Sequence, residues 1–386
     1  MPAGLWRLGV LVPATVAGTL GTDVALRALS HDRFSFRAWE AMRTPGEDSP
    51  FLPSHRYHND RTYGNLAAIA NLPAYRQYRS VTFTTDASGY PNPPGGASRG
   101  PVAAITVGSS FTAGSELGDG ATLAAQLGLL SGRSVYNAGG ATPDFAGIRA
   151  ATRRLAARGG GTLVVIEHPG AREVPPLTTL HVPHKTARCR ELVASLGLDS
   201  LCPLAGWLDR HTRVSPLEIL AQRLLKRVED DRWMPNPYGG LAFVAPLENG
   251  DEMLFLTAER DWSRQPRSEH ETVRYFRWLA AQLERERITP LVVLLPEKYL
   301  VYAPLLRERD PAAEREVAYL NRVQQGLRAA GVPVVNLTTP LREAAATALV
   351  RGSHVYFLDD THWNAAGAAV GVEQIRRAWD ELTPTP

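Results

Sequence analysis

From about residue 101 onward, short unbroken apolar runs alternate with longer stretches whose apolar residues recur every three or four positions. The runs at 102–107, 134–137, 162–166, 291–295 and 332–337 have the length and β-branched content of strands. The stretches at 121–130, 145–157, 217–228 and 364–379 have helical periodicity. So does the stretch after Asp310-Pro311, with Val317, Leu320, Val323 and Leu327 on one face. Ser268 and Glu271 have the spacing of a capping box, ahead of a stripe of Val273, Phe276, Leu279 and Leu283. Strands apolar throughout, separated by helices, predict a mainly parallel sheet covered on both faces, a three-layer α/β/α sandwich. The alternation lapses over about 170–265, where Pro, Trp and His are scattered. This stretch reads as an insertion at the C-terminal edge of the sheet. Residues 24–100 form a mixed lead-in with one alternating strand at 81–85 and a Pro/Gly loop at 91–96.

The chain has 386 residues and a net charge of +3, enough for one large domain. Lysine occurs only at 185, 226 and 298, and no basic run interleaves with aromatics, which excludes nucleic acid as a partner. The run 8–21 after Arg7 is uncharged but diluted by Gly, Thr and Pro. It predicts a signal peptide or a signal anchor over 1–23, and with the anchor a contact between the N-terminus and the membrane. The predicted order is then a lead-in at 24–100 and a catalytic-type domain at 101–386. Cys189 and Cys202 make no Cys-x-x-Cys motif; a disulfide and two buried thiols are both open.

Gly108-Ser109-Ser110-Phe111 follows the 102–107 strand, and Asp359-Asp360-Thr361-His362-Trp363-Asn364 precedes the last helix. Reactive groups in open α/β sheets gather at the C-terminal ends of strands, so both segments are expected at one cleft. A serine, an imidazole to take its proton and a carboxylate to fix the imidazole tautomer are the parts of serine acyl transfer. No metal is expected: His181 and His184 lack a third ligand, and His168 beside Glu167 reads as a structural pair. No cofactor is implied.

Gly-Ser-Ser-Phe followed far downstream by Asp-Thr-His-Trp-Asn-x-x-Gly resembles the SGNH (GDSL-type) hydrolase superfamily, and within it the alginate O-acetyltransferase-like branch. Three further segments are similar to that branch: 83–90, Asn137-Ala138-Gly139-Gly140, and Pro296-x-Lys298-x-x-x-Tyr302. The resemblance implies Ser110 as nucleophile, His362 as general base and Asp360 as its carboxylate. Asp359 takes that place if the general hydrolase spacing holds. It implies an oxyanion hole from the backbone N–H of Ser110 and of Gly139 or Gly140. Arg172, Lys298 and Tyr302 become candidates for substrate binding along the cleft. Two positions depart from the family pattern. Ser109 stands where Gly-Asp-Ser has its acid, and Glu167-His168 stands where an oxyanion asparagine is usual.

The expected activity is therefore O-acetyl transfer to an exported or cell-surface polysaccharide through an acetyl-serine. A glycan acceptor, a membrane acyl-donor protein and a periplasmic or otherwise extracytoplasmic location go with it. The alternatives are a carbohydrate acetylesterase and a non-catalytic glycan-binding or export-complex protein. A lipase would need a broad apolar lid, which the polar insertion does not offer. Trp207, Trp233 and Trp262 in the insertion are candidates for stacking on a sugar.

Overall fold

The computed structural model describes residues 3–27, 29, 35–42, 50–94, 101–140, 144–156, 163–170, 174, 197–201, 203, 216–230 and 240–383. Among the described residues nine strands run in chain order: β1 Arg56–Thr62, β2 Arg79–Thr84, β3 Ala104–Gly108, β4 Val135–Gly139, β5 Leu163–Pro169, β6 Ala242–Pro246, β7 Glu252–Leu256, β8 Thr289–Leu295 and β9 Val334–Asn336. Five of them form the central sheet in the order β4-β3-β5-β8-β9, and every neighbouring pair is parallel. Strands β3, β4 and β5 are buried at every position, as strands covered on both faces must be.

The helices form two packed groups. Helix Leu123–Ser131 packs on β4 and on the last helix, Ala365–Leu382, which also meets helix Thr338–Val350. Helix His270–Arg285 packs on β8, on helix Ala313–Ala329 and on helix Phe145–Ala156. The chain enters the sheet at β3, steps out to β4, then returns past β3 to β5. That reversal between β3 and β5 makes a crevice at their C-terminal ends, where open α/β sheets bind ligands. Ser110 lies there, two residues beyond β3.

Several expectations are revised. The capping box of Ser268 and Glu271 does not form: the helix starts at His270 with Glu269 at the cap position and no side-chain cap bond, and Ser268 Oγ accepts from His270 N at 3.3 Å. Helix Thr338–Val350, strand β1 and the β6–β7 hairpin were not anticipated. The first helix spans Ala3–Arg27, but among the described residues no helix is long and apolar enough to cross a membrane. Thus the helix is there and the spanning anchor is not supported. Physically, Gly, Thr and Pro13 dilute the run, and the helix carries Arg7 and Asp23 on either side of it. Cys189, Cys202, His181, His184, Arg172, Trp207 and Trp233 lie outside the described residues.

Candidate active site

Ser110 opens a four-residue helix, Ser110–Ala113, directly after the buried strand β3. Ser109 is its cap, with Oγ accepting from Phe111 N at 3.3 Å. The Ser109 side chain also donates to Glu167 Oε1 at 2.5 Å, from the end of the adjacent strand β5. The turn leaves Ser110 Oγ facing His362 Nε2 at 2.6 Å.

His362 lies in the loop before the last helix. Its Nδ1 is 2.5 Å from Asp360 Oδ1, and its backbone N–H donates to the same oxygen at 2.9 Å. One carboxylate oxygen thus holds both the ring and its main chain, which is what a two-residue spacing permits. The network assigns Nδ1–H to the Asp360 side and leaves Nε2 free to accept from Ser110. Phe111 flanks the imidazole, with ring centroids 4.6 Å apart. Burial would raise the Asp360 carboxyl, but the His362 charge and hydrogen bond, with Arg79 and Arg37 behind, outweigh it. They hold the group well below the usual carboxylate range.

The rest of the motif is structural. Trp363 is buried against Phe111, with centroids 5.6 Å apart. Asn364 caps the last helix, accepting from Ala366 N and Gly367 N at 3.0 and 3.1 Å. Gly367 must lack a side chain, because a Cβ there would stand 2.1 Å from the Val355 carbonyl oxygen.

Residues from the lead-in reach the same loop. Asn65 N donates to Asp360 Oδ2 at 2.5 Å, while the Asn65 side chain and Thr361 exchange two bonds of 2.9 Å. Asp359 turns the other way: it accepts from Gly64 N at 2.7 Å, Gln77 N at 2.9 Å and Arg79 at 2.8 Å. Adjacent in sequence, the two aspartates have different partners, and only Asp360 touches the imidazole.

Lys298 and Tyr302, expected along the cleft as substrate contacts, are fully buried instead. Lys298 Nζ shares its three N–H donors among the carbonyls of Leu254, Phe357, Leu358 and Asp360, at 2.6, 2.7, 3.1 and 2.9 Å. It therefore ties the β6–β7 hairpin to the Asp/His loop. Burial pulls its ammonium below the ordinary value, against Glu259, Asp360 and Asp359, which pull it back. The Tyr302 hydroxyl accepts from Val355 N at 3.0 Å, at the base of the same loop. Their chemistry is spent on the backbone, which corrects the substrate-contact expectation. The two glycine amides are also engaged. Gly139 N donates to Asn137 Oδ1 at 2.8 Å and Gly140 N to Gly108 O at 2.8 Å. Both glycine N–H groups are therefore already taken, and of the three amides expected at an oxyanion hole only that of Ser110 has no acceptor holding it among the described residues. His168 stacks edge-on against Phe276 at 5.1 Å, inside the core. Among the described residues no cluster of His, Cys, Asp or Glu could hold a metal.

Ser110 and His362 open into a cavity of about 730 Å³, walled by Trp39, Trp262, Glu259 and Glu297 among others. Trp262 is 38% exposed and comes from helix Thr257–Arg264, at the end of the segment read as an insertion. Of that wall the sequence singled out Trp262 as a sugar-stacking candidate; Trp39 and Glu259, like Asn65 and Arg79, carried no sequence signal.

No curated protein matches the chain. One crystal structure that aligns with it covers 73% of this chain and 97% of its own, at 13% identity and a TM-score of 0.33, a likeness that carries no argument about the fold. The family model described as "ALGX: SGNH hydrolase-like domain, acetyltransferase AlgX" matches residues 249–385. That stretch contains His362 and Asp360 but not Ser110. Over residues 249–385 the chain is thus similar to the SGNH hydrolase-like domain of the AlgX acetyltransferase type.

Proposed function

We propose that the chain is an SGNH-type serine O-acetyltransferase that acetylates an exported or cell-surface polysaccharide outside the cytoplasm. The SGNH-like domain is taken as 101–386, with 24–100 as a lead-in that braces it. The observation that carries this reading is the unbroken line Ser110 Oγ–His362 Nε2 and His362 Nδ1–Asp360 Oδ1, at 2.6 and 2.5 Å, opening into the cavity. In the proposed reaction His362 Nε2 takes the Ser110 proton as Oγ attacks the acetyl carbonyl. The tetrahedral oxyanion leans on the Ser110 N–H, the first amide of its helix. Collapse expels the donor's leaving group, which takes the proton back from His362 and leaves acetyl-Ser110. A sugar hydroxyl then gives its proton to His362, attacks the acetyl carbon and departs as the ester, restoring Ser110. Asp360 holds the tautomer throughout and balances the imidazolium. The cavity wall of Trp39 and Trp262 supports a carbohydrate acceptor, because sugar rings stack on aromatic faces.

The test is covalent labelling of the purified protein with a serine-directed phosphonate, mapped by mass spectrometry. A single adduct on Ser110, absent from Ser110→Ala, is expected. Equal labelling of Ser110→Ala, or an adduct only elsewhere, overturns the assignment.

A further inference from the structure

We propose that Glu167 is a positioning residue for the nucleophile: its buried carboxylate fixes the turn from which Ser110 meets His362. The proposal rests on the reading of Ser110 as nucleophile. Glu167 sits in a strand, Leu-Val-Val-Ile-Glu-His-Pro, that is buried at every position. A carboxylate there is costly unless every lone pair is satisfied. It is satisfied entirely by the nucleophile turn. Oε1 accepts from Ser109 Oγ at 2.5 Å. Oε2 accepts from Ser109 N at 3.0 Å, Thr112 N at 3.0 Å and Thr112 Oγ1 at 2.5 Å. The four donors come from the residue before Ser110 and from the residue two after it. Ser109 Oγ passes the constraint on by accepting from Phe111 N. Gly108 completes the lock, since a Cβ there would stand 2.5 Å from Glu167 Oε2. Ser110 thus sits in a turn that Glu167 pins on both sides, with its own carbonyl taken by Gly114 N and Ser115 N. The carboxylate that position 109 lacks is supplied by the neighbouring strand.

A plain staple between β3 and β5 would predict lost stability alone. Positioning predicts lost reactivity at Ser110 in a folded protein. Glu167→Gln keeps the shape but turns an NH2 group toward donors. Its phosphonate labelling rate should fall about 10²-fold, the usual cost of misplacing a reacting atom by about 1 Å. In an assay with a chromogenic acetyl ester as substrate, kcat should fall with KM unchanged. Thr112→Val keeps volume and deletes one donor, so its labelling should slow severalfold. Its effect should be non-additive with that of Glu167→Gln, because both act on one contact. Circular dichroism and the melting temperature report folding separately. Folded Glu167→Gln labelling at the wild-type rate overturns the proposal. If Glu167→Gln does not fold, Thr112→Val labelling at the wild-type rate overturns it instead. Unchanged labelling of Ser110→Ala would sink the nucleophile reading itself, a result distinct from either.

Discussion

At the scale of single residues, Asp359 and Asp360 show how two neighbours of one type divide a task. Asp360 faces the imidazole, and Asp359 faces Arg79 and two backbone amides. Asp360→Asn would present an amide N–H to Nδ1 and favour the wrong tautomer. Turnover or labelling should drop by up to about 10⁴-fold, as when a serine triad loses its carboxylate. Asp359→Asn should instead cost stability, about 1–3 kcal/mol for a buried acceptor no longer matched to its donors, and leave most of the reactivity. Urea unfolding and phosphonate labelling of both variants check this. Greater loss of labelling in Asp359→Asn would reverse the assignment. The Asp-x-His spacing was legible in the sequence because both groups sit within three residues. Asn65 and Glu167 were not legible, because each meets the site only through the fold. The glycine amides misled for the same reason: a sequence shows an N–H but not the acceptor that already holds it.

At the scale of elements, helix Ala313–Ala329 buries Glu316 against Arg267, 3.1 Å away, at the entry to helix His270–Arg285. Burial raises the Glu316 carboxyl to about 7 despite that arginine. In the unfolded chain it titrates at an ordinary 4.5. Between those values the folded state binds the proton and the unfolded state does not. Its stabilising contribution is therefore full below about pH 4.5 and fades as pH rises through 7. Glu316→Gln cannot lose that proton. The stability of wild type minus that of Glu316→Gln should decline by about 3 kcal/mol at most between pH 4.5 and 7.5, read from urea midpoints. A flat difference would show that Arg267 keeps the carboxylate charged. Periodicity identified helix Ala313–Ala329 and its partners because their stripes are rich in Leu, Val and Phe. Helix Thr338–Val350 was missed because its buried face is Thr338, Leu341, Ala345 and Leu349, too small and polar to read as a stripe. The β6–β7 hairpin was hidden by Pro246 at its edge, although Asn249-Gly250, with Gly250 at φ +94°, is a recognisable hairpin turn.

At the scale of the whole molecule, the parallel sheet places Ser110 but does not by itself place His362. The Asp/His loop is held from outside the sheet, by residues 64–79 and by Lys298 from the strand end beyond β8. Arg79 is the pivot of that brace. It donates to Asp359 at 2.8 Å, lies 3.5 Å from Glu116 and 4.0 Å from Asp360, and stacks 4.0 Å over Phe357. All three carboxylates have fully buried side chains. Removing one partner of such a buried set costs far more than the set contributes as a whole, because the remaining charges stay buried without compensation. Arg79→Leu retains most of the stacking volume and deletes the charge. It should lower stability by about 3–5 kcal/mol. The loss should persist in high salt, since buried pairs are screened little. Because Asp359 and Asp360 are the groups set loose, labelling at Ser110 should slow in whatever fraction remains folded. Arg79→Lys should recover part of the stability, but not the separate contacts that the guanidinium fork makes with the three carboxylates. Unfolding midpoints at two salt concentrations, with labelling of the same samples, decide the matter. Were Arg79→Leu to melt and label like the wild type, the Asp/His loop would be standing on its own, and the lead-in would be a neighbour of the site instead of a part of it.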